Sequence, residues 1–310
     1  MTDQACLGAA AEEGVQFGFK ASVCGIPIIH SLQNGLRGNK IHSITGILNG
    51  TCNYILSRME DGFDFADALR DAQQKGFAES DPSLDIDGDD AAQKLKILSE
   101  LAFDGSVGSG SVETRGIREI TADDVLNAGK HGYVIKHIAI AEAREERVSL
   151  RVHPALLPKS HQLAAVRNEN NAVLVNADAV GEVLFYGKGA GSLPSASAVL
   201  SNVIEIATQR KADLRVATRS LETVQGKVGN RSYLGFTVAH ANAVFSIPSM
   251  LESCGVSVIS SDVSSDNAGR PNHIGIFADA PVKRALRTAL HTISDLGLSR
   301  GKPTVVTVSC

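Results

Sequence analysis

From Tyr233 onward the sequence runs through six short segments: "YLGFTVAH", "AVFSIPSMLESCG", "SVISSDV", "HIGIFAD", "VKRALRTALHTISDL" and "PTVVTV". Read by hydrophobic period, they are strand, helix, strand, strand, helix, strand. That order restricts residues 230–310 to a small α+β module of the split-βαβ type. The chain has 310 residues, so a second, larger domain precedes this module.

The larger part reads as mixed α and β. Residues 1–16 suggest an Ala-rich helix, and "VQFGFKASV" (15–23) a strand. "GIPIIHSLQNGL" turns helical after Pro27, which a first helical turn tolerates. "KIHSITGIL" (40–48) alternates like a strand, and "GTCNYILSRMEDG" starts a helix with Thr51 as its cap and Gly62 as its stop. Helices are expected at 64–76, at 89–103 and, capped by Thr121, over "TADDVLNAGKHG". "SVETRGIREI" is strand-like. Further strands are expected at 133–142, 147–153, 172–176 and "GEVLFYG", then a helix from "GKGAGSLP" to about residue 208. The polar stretch 209–229 reads as a linker.

Composition excludes several classes. A formal net charge of −4 with scattered basic residues gives no nucleic-acid footprint. No apolar run approaches the roughly 18–20 residues of a membrane span, and the N-terminus lacks the basic start of a secretory signal. Five widely spaced cysteines (Cys6, Cys24, Cys52, Cys254, Cys310) favour free thiols in a reducing cytosol over a disulfide frame or a metal site.

The densest chemistry lies in "AESDPSLDIDGDDAAQKLKIL" (78–98). A calcium loop with Gly88 sixth would place Ser83 first and Lys94 twelfth, where an EF-hand needs a bidentate Glu. Two readings remain. In one, Pro82, Gly88 and the aspartates form a solvated turn, and Asp90 and Lys94 are an i,i+4 surface pair. In the other, the helix has a wide apolar face (Ala91, Leu95, Leu98, Ala102, with Ile97 and Leu101 adjoining). The pair at its edge is then half-buried and able to exchange a proton.

"GIPIIHSL", "ITGILNGTCNYIL", "AQQKGFAESDPSLDIDGDDAAQKLKIL", "VHPALLP" and "YGKGAGSLPSASAV" occur in this order. Together they resemble the catalytic portion of homoserine dehydrogenases over roughly residues 13–208, with residues 230–310 resembling an ACT regulatory module. The resemblance implies a mixed-sheet catalytic domain with helices on one face, followed by a ferredoxin-like βαββαβ domain. It implies NAD- or NADP-dependent interconversion of L-homoserine and L-aspartate 4-semialdehyde, on the route to threonine, methionine and isoleucine. Lys94 matches the proton donor and Asp90 its acidic partner. Glu79 and Asp85 match carboxylates that hold the substrate ammonium, and Gly50 and Thr51 border the substrate. Gly189 and Gly191 match a turn near the cofactor, although "GKGAGSLP" fits neither common phosphate-loop pattern. A homodimer in the cytoplasm is also implied.

Three departures from the family pattern shape the expectations. Residues 1–24 match only the end of a nucleotide-binding domain, leaving 25–208 as the catalytic part. Lys20 stands where relatives carry a cation-holding Glu, which removes that metal site. His240-Ala-Asn242-Ala243 replaces the Asp-x-Pro-Gly turn of the ACT module, where Gly lets an effector approach the backbone. The expected function is therefore the dehydrogenase, with the nucleotide-binding domain either lost by truncation or supplied by another chain. The alternatives are a non-catalytic amino-acid-binding partner of a full-length homologue, and cofactor-free lyase, isomerase or hydrolase chemistry on Lys94 and Asp90.

Overall fold

The computed structural model describes residues 8–10, 12–108, 110–145, 147–208, 219–226, 229–279 and 283–308. A turn of α-helix at Ile28–His30 runs into a π-turn at Ser31–Gly35. Then follow β1 (Ile41–Ile47), α1 (Gly50–Glu60), α2 (Phe65–Gln74), the single turn α3 (Ser83–Ile86) and α4 (Asp89–Phe103). β2 (Glu113–Thr114), α5 (Ala122–Lys130), β3 (Tyr133–Arg144), β4 (Arg147–Pro158), β5 (Asn170–Ala177), β6 (Gly181–Lys188) and α6 (Ser192–Thr208) complete the larger part. β7 (Glu222–Thr223) leads to β8 (Arg231–Val238), α7 (Ala243–Ser253), β9 (Ser257–Ser265), β10 (Pro271–Asp279), α8 (Lys283–Asp295) and β11 (Ser299–Val308).

The strands join in one mixed sheet along the path β6-β5-β1-β3-β4-β11-β8-β10-β9, with β2 and β7 also paired to β4. β2, β7 and β11 run parallel to β4, and the other pairs are antiparallel. The last four strands, ordered β11-β8-β10-β9, interleave two β-α-β units, as the C-terminal sequence pattern predicts. Their core joins Leu234, Phe236, Ile274 and Ile276 of the sheet to Ile247, Leu251, Ala289 and Ile293 of the helices. In the larger part, Ala91, Leu95 and Leu98 of α4 pack on Ile44, Ala139, Val152 and Val173. This stripe recurs every three to four residues, the spacing that puts side chains on one helical face. It lays α4 across β1, β3 and β4 and so fixes which side chains line its edge. Among the described residues no helix is long and apolar enough to cross a membrane.

Local expectations fail in four places. Residues 15–19 pair with no strand, and Lys20–Ser22 is a 3-10 turn held to α6 through Lys20, Glu205 and Ser201. The strand-like "SVETRGIREI" shrinks to Glu113–Thr114. Gly116 is pressed against Ile86 and Asp87, and the Ile117 N–H donates to the Ile86 carbonyl (2.8 Å), so the backbone leaves the ladder. β4 continues past residue 153 because β3 pairs with it along its whole length, from Tyr133↔Pro158 to Arg144↔Arg147. The N-cap of α1 is Asn49, not Thr51: Asn49 Oδ1 accepts from the Cys52 N–H at 2.8 Å. Of the expected linker, residues 209–218 and 227–228 lie outside the described residues. Residues 219–224 run beside the sheet, with Leu221 buried and the Val224 N–H donating to Val148.

A buried polar knot joins the two parts. Asp124, in the capping box of α5, accepts from Tyr233 Oη (2.9 Å), His273 Nε2 (2.9 Å) and Thr304 Oγ1 (2.8 Å), which belong to β8, β10 and β11. A Cβ at Gly235 would strike the Asp124 carboxylate, and one at Gly275 would strike Tyr233 and Asn127. The two glycines let α5 lie close on the C-terminal sheet.

His137 and His153, on β3 and β4, are buried, and loss of solvation pulls each pKa from 6.5 down to about 4. Both rings are therefore neutral in the fold. Their unfolded forms take up protons below pH 6.5 while the folded forms do not, so stability falls as pH drops from 6.5 towards 4. Each shift is worth on the order of 3 kcal/mol. Urea denaturation across this range should show that loss, and His137→Gln should remove about half of it. A wild-type stability constant between pH 4.5 and 7 would contradict this assignment.

Candidate functional site

The site is assembled where the start of α1 meets the turn before α4. Asn49 does two jobs. Its Oδ1 caps α1, and its Nδ2 donates to Asp85 Oδ1 (2.7 Å) and Asp90 Oδ2 (2.8 Å). The amide has two hydrogens, so one side chain holds both carboxylates. Asp85 lies in α3, which Pro82 opens, and Asp90 in the first turn of α4, where negative charge is favoured. Gly88, at φ +95°, makes the break between these two helices.

Lys94 lies one turn along α4 from Asp90. Its Nζ donates to Asp90 Oδ2 (2.7 Å) and to the Leu48 carbonyl (3.2 Å). An ammonium has three N–H groups, so one has no acceptor among the described residues. The Lys94 and Asp90 side chains are about one-fifth exposed, half-buried at the edge of the apolar face. They are neither a solvated surface pair nor sealed in the core.

Thr51 Oγ1 lies 2.7 Å from the Phe77 carbonyl and 3.0 Å from Asp85 Oδ2. A hydroxyl has one proton, so these two acceptors compete for it. Asp85 Oδ2 is thus under-supplied with donors and suited to an incoming cation. The Cys52 thiol donates to the Asp85 carbonyl at 3.2 Å. Burial first, then the neighbouring aspartates, raise its pKa well above the usual thiol value. This cysteine packs under the turn as a neutral thiol and is no nucleophile.

The fold thus brings Thr51, Asp85, Asp90 and Lys94 together, with Gly50 as the first residue of α1. A Cβ at Gly50 would lie 2.8 Å from the Glu169 carbonyl, so only glycine lets this helix start approach the loop before β5. Glu79 is exposed, two residues beyond Phe77, whose carbonyl meets Thr51, and its side chain has no partner among the described residues. Asp87 is held by Arg118 instead. Gly189 and Gly191 lie on the turn before α6. The Gly189 carbonyl accepts from the Gly25 N–H (2.6 Å), a Cβ at Gly189 would strike Asn171, and Gly191 is open at φ +115°. Asn171 lies between the two glycine turns: its Oδ1 is buried, has no hydrogen-bond partner, and lies 3.4 Å from where a Cβ of Gly50 would be.

Sequence reasoning missed Asn49, Asn171 and the Leu48 carbonyl. The signal for Asn49 was its position one residue before the helix start, since Asn caps at least as well as Thr. Asn171 and the Leu48 carbonyl leave no local signal.

Residues 27–204 match the family model described as homoserine dehydrogenase. The homoserine dehydrogenase of Synechocystis sp. is 52% identical over 204 residues, covering 64% of this chain and 47% of the relative. The chain spans about half the length of the curated relatives it matches. A crystal structure of a homoserine dehydrogenase from Thiobacillus denitrificans superimposes with a TM-score of 0.83 at 33% identity, covering 99% of this chain and 73% of that one. A hyperthermophilic archaeal homoserine dehydrogenase mutant in complex with NADPH aligns with a TM-score of 0.55 at 29% identity, over 66% of this chain and 59% of that one.

Proposed function

Since the chain belongs to the homoserine dehydrogenase family, we propose that its Asp85–Asp90–Lys94 site works on L-homoserine and L-aspartate 4-semialdehyde. The observation that carries this reading is Lys94: an ammonium oriented by Asp90 and the Leu48 carbonyl, with a third N–H to spare. In the reducing direction the aldehyde oxygen gains negative charge, and Lys94 delivers the proton that makes it a hydroxyl. In the oxidising direction neutral Lys94 takes that proton back. Asp85, with its under-supplied Oδ2, and Glu79 receive the substrate ammonium. Gly50 and Thr51 shape the adjoining wall.

When bound, NAD or NADP would supply or accept the hydride. The residues present fit its reacting end. Asn171 Oδ1 is an orphaned buried acceptor suited to a carboxamide N–H, and Gly191 keeps the neighbouring edge open. We assign residues 25–208 to catalysis, 209–229 to a connection and 230–310 to an ACT-type, ferredoxin-like regulatory module. Leu200, Val203 and Ile204 leave an apolar face of α6 exposed. That face supports contact with a nucleotide-binding unit. Free Cys24, Cys52 and Cys254 agree with a cytoplasmic setting, and the assembly is read as a homodimer.

The test uses the purified chain, calorimetric titration with homoserine and with NADPH, and homoserine-dependent reduction of NADP followed by absorbance. Saturable homoserine binding that weakens at least tenfold in Asp85→Asn is expected, with turnover wherever the cofactor binds. Absence of homoserine binding would overturn the reading.

A further inference from the structure

Beside the junction of β4 and β11 lies a cleft of about 740 Å³. One wall is β2 with Arg115. The other is Lys302, Pro303 and Val305 of β11 with Leu286, Arg287 and Leu290 of α8. A smaller adjoining pocket of about 280 Å³ shares Arg115 and Lys302. Volumes of this order suit a small ligand.

The lining is unbalanced in charge. Arg115, Arg287 and Lys302 have no ion pair or side-chain hydrogen bond among the described residues, and the carboxylates facing them are Glu113 and, in the adjoining pocket, Glu119. Arg151 is already committed to Glu142 at 2.9 Å. Arg115 opens to the cleft but is crowded by protein. That loss of solvation lowers its pKa, with Glu119 and Glu113 working the other way. An arginine so placed gains from an anion able to meet its planar fork, and a cleft of one predominant sign draws such anions in.

The Arg115 segment also reaches the site described above. His137 Nε2 lies 3.1 Å from the Arg115 carbonyl, and the His137 ring lies against Gly88. Gly116 is pressed on Ile86 and Asp87, the Ile117 N–H donates to Ile86, and Arg118 holds Asp87. Asp85 is the residue before Ile86. A displacement at Arg115 therefore has a packed, hydrogen-bonded route of few residues to the turn that carries Asp85.

We propose that this cleft binds a small organic anion, its carboxylate or phosphate held by Arg115 and Lys302 and its apolar part against Leu286 and Leu290, and that occupancy sets the position of the Asp85 turn. The binding claim does not depend on the reaction proposed above.

The experiment titrates the full chain by calorimetry with 4-methylpentanoate, inorganic phosphate and, as the uncharged control, 4-methylpentanamide. Saturable binding of at least one anion is expected, at least tenfold tighter than the amide. It should weaken at least tenfold in Arg115→Gln and in Lys302→Gln. Binding of the carboxylate alone, or of phosphate alone, identifies which head group the site takes. Hydrogen exchange at the Ile117 amide should slow at least threefold on binding. Lys302 is exposed, so its variant tests the site even if Arg115→Gln does not fold. Failure of both anions to saturate, or equal affinity in the wild type and Lys302→Gln, would overturn the site. Unchanged exchange at Ile117 would overturn the coupling.

Discussion

Lys94→Met should lower kcat/KM for homoserine roughly a hundred- to ten-thousandfold while the homoserine dissociation constant changes less than about fivefold. That is the range expected for loss of a positioned general acid. Met keeps the length of the side chain and removes the proton. Asp90 Oδ2 keeps its bond from Asn49, so the carboxylate is not stranded, and stability should fall by only about 1 kcal/mol. Asp85, held independently by Asn49 and Thr51, still receives the ammonium. Lys94→Arg is the companion variant: it keeps the charge but cannot give up a proton at neutral pH. It should stay as slow as Lys94→Met within about tenfold. Steady-state kinetics with a nucleotide-competent preparation, together with calorimetry, would decide. A Lys94→Met rate within threefold of the wild type would remove Lys94 from the reaction.

Asp124→Ala is expected to destabilise the protein by about 3–5 kcal/mol, the cost of removing one partner from a buried charged network. The carboxylate is fully buried. Its loss strands Tyr233 Oη, His273 Nε2 and the Thr121 N–H, and removes one of two acceptors near Thr304 Oγ1. Asp124→Asn should also be costly, because an NH2 would then face donors. Burial opposes the charged form of Asp124, but the bonds from His273, Thr121 and Thr304 outweigh it and hold the carboxyl below its usual range. Its contribution is therefore complete above the ordinary carboxylate pKa and fades as pH falls through the lower folded value. The wild type and Asp124→Ala should converge in stability in strong acid. Urea midpoints at pH 7 and in acid provide the measurement. A difference under 1 kcal/mol at pH 7 would show that the knot does not hold the halves together.

Where local pattern dominated, the chain was readable. The apolar stripe of α4 predicts residues 89–103, and the helix spans Asp89–Phe103. Thr121 caps α5 as its sequence indicates. The six C-terminal elements appear in the predicted order. Local pattern failed where a distant partner set the outcome. "VQFGFKASV" has strand composition, but among the described residues no strand borders it. "SVETRGIREI" alternates like a strand, yet Gly116 and Ile117 are drawn to Ile86. Thr51 has cap chemistry, but Asn49 took the cap, and the Thr51 hydroxyl was left to Phe77 and Asp85.

The sequence by itself determined that carboxylates and Lys94 stand along the first turns of an amphipathic helix, because charge spacing and the helical period are properties of adjacent residues. Only the tertiary structure decided that the lysine faces a site. Asn49 reaches across 36 residues to Asp85 and 41 to Asp90, and the Leu48 carbonyl across 46 to Lys94. These bonds exist because α4 packs on the sheet that contains β1, which delivers the end of β1 to the first turn of α4. No periodicity encodes that meeting. It follows from burying two apolar faces at once, and the polar groups that converge there must satisfy one another.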